Sequence, residues 1–187
     1  RRSEAPEASD ASLVEGSLAG DLRAKERLYR RHVNMVTGLA HRLLGGAEVD
    51  DLVQDAFVTA FDRLETLRDP QSFAKWIGSI VVHQARARIR KRQRRRRFFL
   101  PVGESSPSLE RLIASDAPPD VRAELKAIYA LIEKLPADAR IALVLRRVEG
   151  LSIPEIAGHM QRSPATVKRR IQDAEVLLSA HLARGSL

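Results

Sequence analysis

The stretch Ser152-Ile-Pro-Glu-Ile-Ala-Gly-His-Met-Gln-Arg-Ser-Pro-Ala-Thr-Val-Lys-Arg-Arg-Ile-Gln-Asp-Ala174 decides the fold of the C-terminal part of this chain. It contains two short helical segments separated by residues 160–162, and this three-residue turn is the layout of a helix-turn-helix. Ser152 and Ser163 are predicted N-caps, and a proline lies one or two residues after each of them. Ala157 supplies the small side chain that two closely crossing helices need. The stretch therefore predicts a helix-turn-helix with two capped helices.

The second helix of this motif combines an apolar face with a cationic one. Val167 and Ile171 have the spacing of residues that face a core. The side chains left exposed are Ala165, Thr166, Lys168, Arg169 and Arg170. The N-terminal turns of such a helix enter the major groove of DNA, where Arg and Lys pair with guanine. An ordinary helical hairpin with solvated cations is the alternative interpretation of this pattern taken alone.

Another amphipathic helix is predicted between residues 50 and 64. Its apolar face consists of Leu52, Val53, Ala56, Phe57, Ala60, Phe61 and Leu64. Its opposite face carries Asp51, Gln54, Asp55, Val58 and Asp62. Gly45 and Gly46 end the preceding helix, and Asp50 is the predicted N-cap of this one.

The next predicted helix joins an apolar segment to a cationic one. A cluster of helix breakers, residues 68–72, precedes it, and Ser72 is its predicted N-cap. Its predicted inner face consists of Phe73, Trp76, Ile77, Ile80 and Val81. The helix then runs without a break into an arginine tract, Arg86–Arg97. Because the apolar segment packs in the domain, the core fixes the direction of the cationic end.

The positive charge of the chain is concentrated in that tract. The 187 residues include 32 Lys and Arg against 24 Asp and Glu, which gives a net charge of +8. The tract holds nine cations in twelve residues and no carboxylate, which leaves −1 for the rest of the chain. This distribution indicates a polyanion that binds at one defined place on the protein.

The prolines divide the chain into two helical blocks. The predicted domains are residues 1–97 and 122–187, and the linker between them, residues 98–121, contains four prolines. No stretch shows the alternation typical of a β-strand. The predicted fold class is therefore all-α: two small helical domains joined by a flexible linker, the second containing the helix-turn-helix.

The composition also excludes several classes of function. The absence of cysteine excludes disulfides, cysteine-zinc sites and thiol nucleophiles. The five histidines lack metal-ligand spacing, and no glycine-rich phosphate loop or nucleophile elbow is present. No run approaches the ~18 apolar residues of a membrane span, and residues 1–12 carry no secretory segment. We predict no enzyme activity, no cofactor or metal, and no membrane insertion.

Two blocks of motifs resemble bacterial RNA polymerase sigma factors. Asp50-Asp-Leu-Val-Gln-Asp-Ala-Phe57, followed by Phe73 to Ile77 and an arginine-rich helix end, resembles their region two. Leu135-Pro136 through Ser152, followed by Glu155-Ile-Ala157 and Thr166-Val-Lys168, resembles their region four. The order of the blocks and the short linker resemble the extracytoplasmic-function (ECF) group. The resemblance covers residues 12–182.

This resemblance implies partners for each surface. The partners implied are core RNA polymerase, through its largest-subunit clamp and its flap, promoter DNA as duplex and melted strand, and an anti-sigma factor, all in the cytoplasm. The residues implied to bind core polymerase are Asp51, Gln54, Asp55 and Asp62. Those implied to bind the melted strand at the −10 element are Arg68, Asp69, Gln71, Ser72, Lys75, His83, Arg86, Arg88, Arg90 and Lys91. Those implied to bind the −35 duplex are Ser163, Ala165, Thr166, Lys168, Arg169 and Arg170.

Some positions depart from the family pattern. His83 and Ala87 stand near positions where the family often has Asn and Asp. Gln161 occupies the turn position usually held by glycine, where a positive φ would cost on the order of 1 kcal/mol. Asp173 stands where a basic residue is common, which should weaken the attraction of phosphate there. Trp76 has core spacing and is predicted to pack rather than to stack on a base.

Two other functions fit parts of the same sequence. A stand-alone helix-turn-helix regulator would use the C-terminal motif and the arginine tract without polymerase. A protein-interaction scaffold would use the tract to bind RNA or acidic proteins without regard to sequence. The ordered pair of motif blocks favours an alternative-type sigma factor, which directs promoter recognition, local melting and transcription initiation.

Overall fold

The computed structural model describes residues 8–46, 48–98 and 118–182, and all its regular elements are helical. The α-helices are α1 (Asp10–Leu18), α2 (Leu22–Leu44), α3 (Val49–Asp62), α4 (Phe73–Phe98), α5 (Pro119–Lys134), α6 (Ala137–Arg147), α7 (Ile153–Met160) and α8 (Pro164–Leu182). Two 3-10 turns, Leu64–Thr66 and Pro70–Ser72, connect α3 to α4. The all-α prediction is confirmed. Most of the predicted linker, residues 99–117, lies outside the described residues.

The start of α3 differs from the prediction. Asp50 was expected to be the N-cap, but the helix begins at Val49 and Glu48 is the capping residue. Glu48 has a φ of 77° and makes no side-chain cap hydrogen bond. The chain leaves α2 through Gly45, whose φ of 71° ends that helix in the left-handed region. Asp50 consequently lies in the first turn of α3, where an acid is favoured by the helix dipole.

The start of α4 also differs from the prediction, because Asp69 caps the 3-10 turn Pro70–Ser72 that leads into α4 and the Ser72 hydroxyl donates to it. The Asp69 carboxylate accepts hydrogen bonds from the Gln71 N–H at 3.1 Å and from the Ser72 hydroxyl at 2.5 Å. Ser72 ends a 3-10 turn that continues directly into α4 at Phe73. The two side chains therefore act together, with the carboxylate as the acceptor.

The apolar face of α4 is buried as predicted. Phe73, Ile77 and Val81 are fully buried. Trp76 is half-buried, packs against the core and has its ring centroid 6.1 Å from that of Phe73. Its predicted packing role is confirmed.

The helix-turn-helix is formed by α7 and α8. Val167, Ile171 and Ala157 are buried, as predicted. Gln161 ends α7 with a φ of 52° and a ψ of 51°, so the turn is left-handed despite the side chain. The conformational free-energy cost of a positive φ, on the order of 1 kcal/mol, therefore applies to Gln161.

The two halves of the chain pack against each other. Helices α6 and α7 of the second half lie against α4, and α6 also contacts α2. Ile141, Leu145 and Ile156 belong to the same buried cluster as Leu43 and Val81. The described residues thus form one continuous core across the two helical regions.

Replacing Gln161 by glycine should stabilise the protein. Glycine adopts a positive φ without the Cβ clash, so Gln161→Gly should raise the free energy of unfolding by about 0.5–1 kcal/mol. Chemical denaturation followed by circular dichroism measures this change. The matched control is Gln172→Gly, at an exposed position inside α8, which should lower the same quantity by about 1 kcal/mol. Equal destabilisation by both variants would contradict the left-handed turn.

Candidate nucleic-acid interface

Both helices of the helix-turn-helix begin with a side-chain cap. The Ser152 hydroxyl accepts from the Glu155 N–H at 3.4 Å, and the Glu155 carboxylate accepts from the Ser152 N–H at 2.8 Å, which completes a capping box. At the start of α8 the Ser163 hydroxyl accepts from the Thr166 N–H at 3.2 Å. Both predicted N-caps are confirmed.

The capping box also perturbs a carboxyl group. Hydrogen bonds from the hydroxyl and the N–H of Ser152 lower the pKa of Glu155 below its ordinary value of 4.5. A lowered pKa means that the folded state prefers the ionised carboxylate. Stability from this contact is therefore complete above the ordinary pKa and is lost as the pH falls through the lowered one.

Helix α8 presents part of its predicted duplex-binding set to solvent. Ala165, Lys168 and Arg169 are exposed. Arg170 is half-buried, and its guanidinium lies 3.5 Å from the carboxylate of Asp173. Ser163 and Thr166 bind each other through their hydroxyls at 2.9 Å, so their first role is to cap the helix. The exposed cations form a compact surface at the beginning of α8.

The predicted strand-binding residues before α4 have different environments. Arg68 and Gln71 are exposed, whereas Asp69 and Ser72 are engaged in the cap described above. Lys75 is exposed on the first turns of α4 and lies close enough to α7 to influence the charge of Glu155 and His159.

Three predicted strand-binding arginines of α4 are held in ion pairs. Arg86 donates two hydrogen bonds of 2.6 Å to the carboxylate of Asp138, which lies in the first turn of α6. Arg90 reaches the same carboxylate at 3.3 Å. Arg88 pairs with Asp55 of α3. The remaining members, His83 and Lys91, are exposed.

The predicted polymerase-binding residues lie together on α3. Asp51, Gln54, Asp55 and Asp62 are all exposed. Three of them also line a surface groove of about 430 Å³ whose other wall is formed by cationic side chains of α4. The residues of that groove are Glu48, Asp51, Gln54, Asp55, Arg88, Lys91, Arg92 and Arg95. The acidic and cationic surfaces are therefore adjacent, and the pair of Arg88 with Asp55 joins them.

Several contacts between the halves were not predicted from the sequence. Arg42 of α2 binds Glu149 with two hydrogen bonds, one of them 3.0 Å long. The Ser79 hydroxyl lies 3.0 Å from Nδ1 of His159. Burial lowers the pKa of His159, and the charge of Lys75 lowers it further against the opposing effect of Glu155. No pattern in the sequence marks these pairs, because their members are far apart in the chain and each is common on helix surfaces.

Comparison with known families identifies both halves of the chain. Residues 28–95 match the pattern described as Sigma-70 region 2, and residues 125–178 match Sigma-70, region 4. The ECF RNA polymerase sigma-E factor of Haemophilus influenzae is 31% identical over 180 residues, which cover 93% of this chain and 95% of that protein. The chain belongs to the ECF group of RNA polymerase sigma factors. The resemblance proposed from its motifs is confirmed.

Solved structures of related sigma factors have the same architecture. CnrH, solved in complex with the cytosolic domain of CnrY, superposes on this ECF sigma factor with a TM-score of 0.61 and 27% identity, covering 95% of this chain and 99% of CnrH. The sigma factor RpoE of Bartonella quintana, solved with the anti-sigma factor NepR, has a TM-score of 0.60 and 21% identity over 84% of this chain and 96% of that one. The second likeness concerns the fold alone.

Family membership gives the class of function. Sigma factors are initiation factors of RNA polymerase rather than enzymes in their own right, so this ECF sigma factor acts in transcription initiation. Across the described parts of the chain, none of the helices combines the length and the apolar character needed to cross a bilayer.

Removal of the capping box should weaken the helix-turn-helix. Ser152→Ala deletes the hydroxyl that caps α7, so the free energy of unfolding should fall by about 1 kcal/mol. The pKa of Glu155, measured by NMR titration of its carboxyl carbon, should rise towards 4.5. Ser179→Ala, at an exposed position of α8, should leave both quantities unchanged. An unaltered pKa of Glu155 in the Ser152 variant would contradict the capping box.

Proposed function

We propose that this ECF sigma factor uses three separate surfaces: an acidic face of α3 for core RNA polymerase, a cationic edge of α4 for the melted promoter strand, and the start of α8 for promoter duplex. The observation that carries the proposal is the separation of charge on adjacent elements. The acidic side chains lie on one exposed face of α3, whereas the cations assigned to DNA lie on α4 and α8. One surface would repel phosphate and the other two would attract it.

The acidic face of α3 suits a protein partner. Asp51, Gln54, Asp55 and Asp62 project from a helix whose opposite face is buried, so their positions are fixed by the core. Beside them an apolar surface groove is lined by Tyr29, Val53, Phe57 and Phe61 among others. Fixed acids next to exposed apolar surface can bind a basic helical partner, and we assign them to the clamp of the polymerase's largest subunit.

The cationic edge of α4 suits a single strand. Unpaired bases require a recess, and their phosphates require nearby cations. A groove of about 410 Å³ between α3 and α4 is lined by His83, Ala87 and Lys91 and by the ion pair of Arg88 with Asp55. The groove supplies the recess, and Lys91 is an exposed cation at its edge. With Arg68 and Gln71 exposed in the preceding loop, this edge is the proposed binding site for the non-template strand at the −10 element.

The start of α8 suits duplex DNA. Ala165 is small, and Lys168 and Arg169 are exposed near the N-terminal turns that enter a major groove in helix-turn-helix proteins. We assign this surface to the −35 element. The partners proposed for the whole chain also include the polymerase flap and an anti-sigma factor, and the proposed site of action is the cytoplasm.

Substitutions on α3 test the polymerase assignment. Gln54→Ala and Asp51→Ala should each weaken binding to core RNA polymerase by about 10-fold, because each removes a polar contact at a protein interface. Titration of labelled full-length protein with core enzyme measures the affinity, and transcription from a promoter library with the same mixtures measures initiation.

Glu26→Ala is the matched control, because Glu26 is an exposed acid on α2 outside the assigned surface. It should bind core enzyme as the unaltered protein does. If the unaltered protein stimulated no transcript from the library and bound duplex tightly without polymerase, the stand-alone regulator would be the correct function.

Substitutions on α8 test the duplex assignment. Lys168→Ala and Arg169→Ala should each lower the affinity of the holoenzyme for promoter DNA and reduce the slope of log affinity against log salt by about 1 if the lost contact is to a phosphate. Arg27→Ala, an exposed cation on α2, removes the same charge far from α8 and should leave the slope unchanged. An equal decrease in all three variants would show that net charge alone governs binding.

A further inference from the structure

Helix α1 packs against the loop that precedes α4, residues 63–72, which we call the strand-binding loop. The helix contacts both 3-10 turns of this loop, Leu64–Thr66 and Pro70–Ser72, and the start of α4. Arg68 and Gln71, which the proposed function assigns to the −10 strand, are exposed on the same loop. None of the three proposed surfaces includes α1, and its contacts with the loop indicate what it does.

The contact between α1 and the loop is apolar. Leu13 and Val14 of α1 are buried, and the buried hydroxyl of Ser17 donates a hydrogen bond of 2.6 Å to the Leu13 carbonyl. From the loop, Leu64 is buried and Leu67 packs against the same core. The inner side of the strand-binding loop therefore rests on a core to which α1 contributes.

The beginning of α1 is held by the carboxylate of Asp10. One of its oxygens accepts a hydrogen bond of 2.8 Å from Arg31 of α2, and the other lies 2.9 Å from Nε2 of His32. Arg31 also donates a hydrogen bond of 2.7 Å to the Ala8 carbonyl, just before the helix. The Asp10 side chain is only 18% exposed. Because partly buried charges are screened by salt less than exposed ones, this contact fixes α1 on α2.

His32 connects this contact to the strand-binding loop. Its side chain is buried, and its ring centroid lies 5.1 Å from that of Phe73. Phe73 is the first residue of α4 and directly follows Ser72, the last residue of the loop. Asp10, His32 and Phe73 therefore form a continuous row of packed side chains from the start of α1 to the end of the loop.

We propose that α1 is a brace for the strand-binding loop and that Asp10 is the positioning residue that keeps this brace in place. The proposal rests on the assignment of the loop to the −10 strand. A loop that is already ordered loses less conformational entropy on binding an unpaired base than a loop that must become ordered at that moment. Loss of the brace should therefore weaken recognition of the −10 bases, whereas contacts of the arginine tract with phosphates should remain.

Substitution of Asp10 separates this role from a simple effect of charge. Asp10→Asn removes a carboxylate, so electrostatic attraction alone predicts tighter binding of DNA, whereas loss of the brace predicts weaker binding. Glu15→Gln is the matched control, because Glu15 is an exposed acid on the same helix. Asp10→Glu keeps the negative charge and should restore binding. Ser9→Ala removes the N-cap of α1 without a change of charge and should act in the same direction as Asp10→Asn.

Each variant is assembled with core RNA polymerase and titrated with a fluorescent oligonucleotide, the non-template strand of a promoter selected from the transcription library. The same strand with its −10 bases scrambled measures the binding that depends on phosphates. Asp10→Asn should lower the affinity for the promoter strand about 5- to 10-fold and for the scrambled strand by less than about 2-fold. Ser9→Ala should cause a smaller loss, about 2- to 3-fold, for the promoter strand. Glu15→Gln and Asp10→Glu should bind both strands as the unaltered protein does.

The environment of the loop can also be followed in the free protein. Trp76 is the only tryptophan in the sequence, and its ring centroid lies 6.1 Å from that of Phe73. Asp10→Asn should increase the quenching of its fluorescence by acrylamide, because the packing around Phe73 is loosened. Circular dichroism of the same samples measures the helix content and shows whether the rest of the fold is retained.

The outcomes separate the brace from the proposed function. Selective loss of promoter-strand binding with increased quenching in Asp10→Asn, restored by Asp10→Glu, supports the brace. If Asp10→Asn and Ser9→Ala bind the promoter strand as Glu15→Gln does, the brace is overturned and the three assigned surfaces remain. Equal losses for the promoter and scrambled strands also overturn it, because a general loss of the fold produces them. If the unaltered holoenzyme does not distinguish the two strands, the assignment of the loop to the −10 strand fails, and the brace fails with it.

Discussion

Helix α4 carries a row of buried side chains four residues apart, and both halves of the chain pack on that helix. The row consists of Phe73, Ile77, Val81, Ala85 and Ile89. Because an α-helix has 3.6 residues per turn, each step of four advances the row by roughly 40° around the helix. The row therefore winds around α4 and meets α2 and α3 of the first half as well as α6 and α7 of the second. The position of the arginine tract follows from this helix, since the tract is the C-terminal part of the same element.

The sequence predicted helix starts correctly where the side chain that caps the helix binds an N–H group a few residues away. Ser152 and Ser163 bind N–H groups three residues away, and the apolar spacing of Val167 and Ile171 needs only a core on one side. The N-caps predicted at Asp50 and Ser72 were wrong, because the loop before each helix changes where the helix begins. The left-handed Glu48 moves the start of α3 before Asp50, and the Ser72 hydroxyl donates to Asp69, the cap of the preceding 3-10 turn. Helix propensities alone do not predict these two helix starts, because both starts depend on the dihedral angles of the preceding loop.

The candidate site was predicted as a set of surfaces but not as a set of contacts. Exposure of the acids on α3 follows from helical periodicity, since the other face of α3 must be buried. The pairing of Arg86 with Asp138 does not follow, because 52 residues separate them and any of several arginines could fill the role. The net charge of a segment also gives no information about which of its side chains form ion pairs. The tract contributes +9 in the sequence, yet its first arginines are matched by Asp138 and Asp55 in the fold.

Because of these ion pairs, the exposed positive charge of α4 lies on its later turns. Arg86 and Arg88 are neutralised by adjacent carboxylates, whereas Lys91, Arg94 and Arg95 are exposed further along the helix. The positive potential of α4 is therefore strongest at its later turns, while Arg86 and Arg88, which are nearer to residues 68–72, are held in ion pairs. On the proposed assignment of α4 to the melted strand, the later turns supply the long-range attraction, whereas Arg86 and Arg88 are held by carboxylates of the fold.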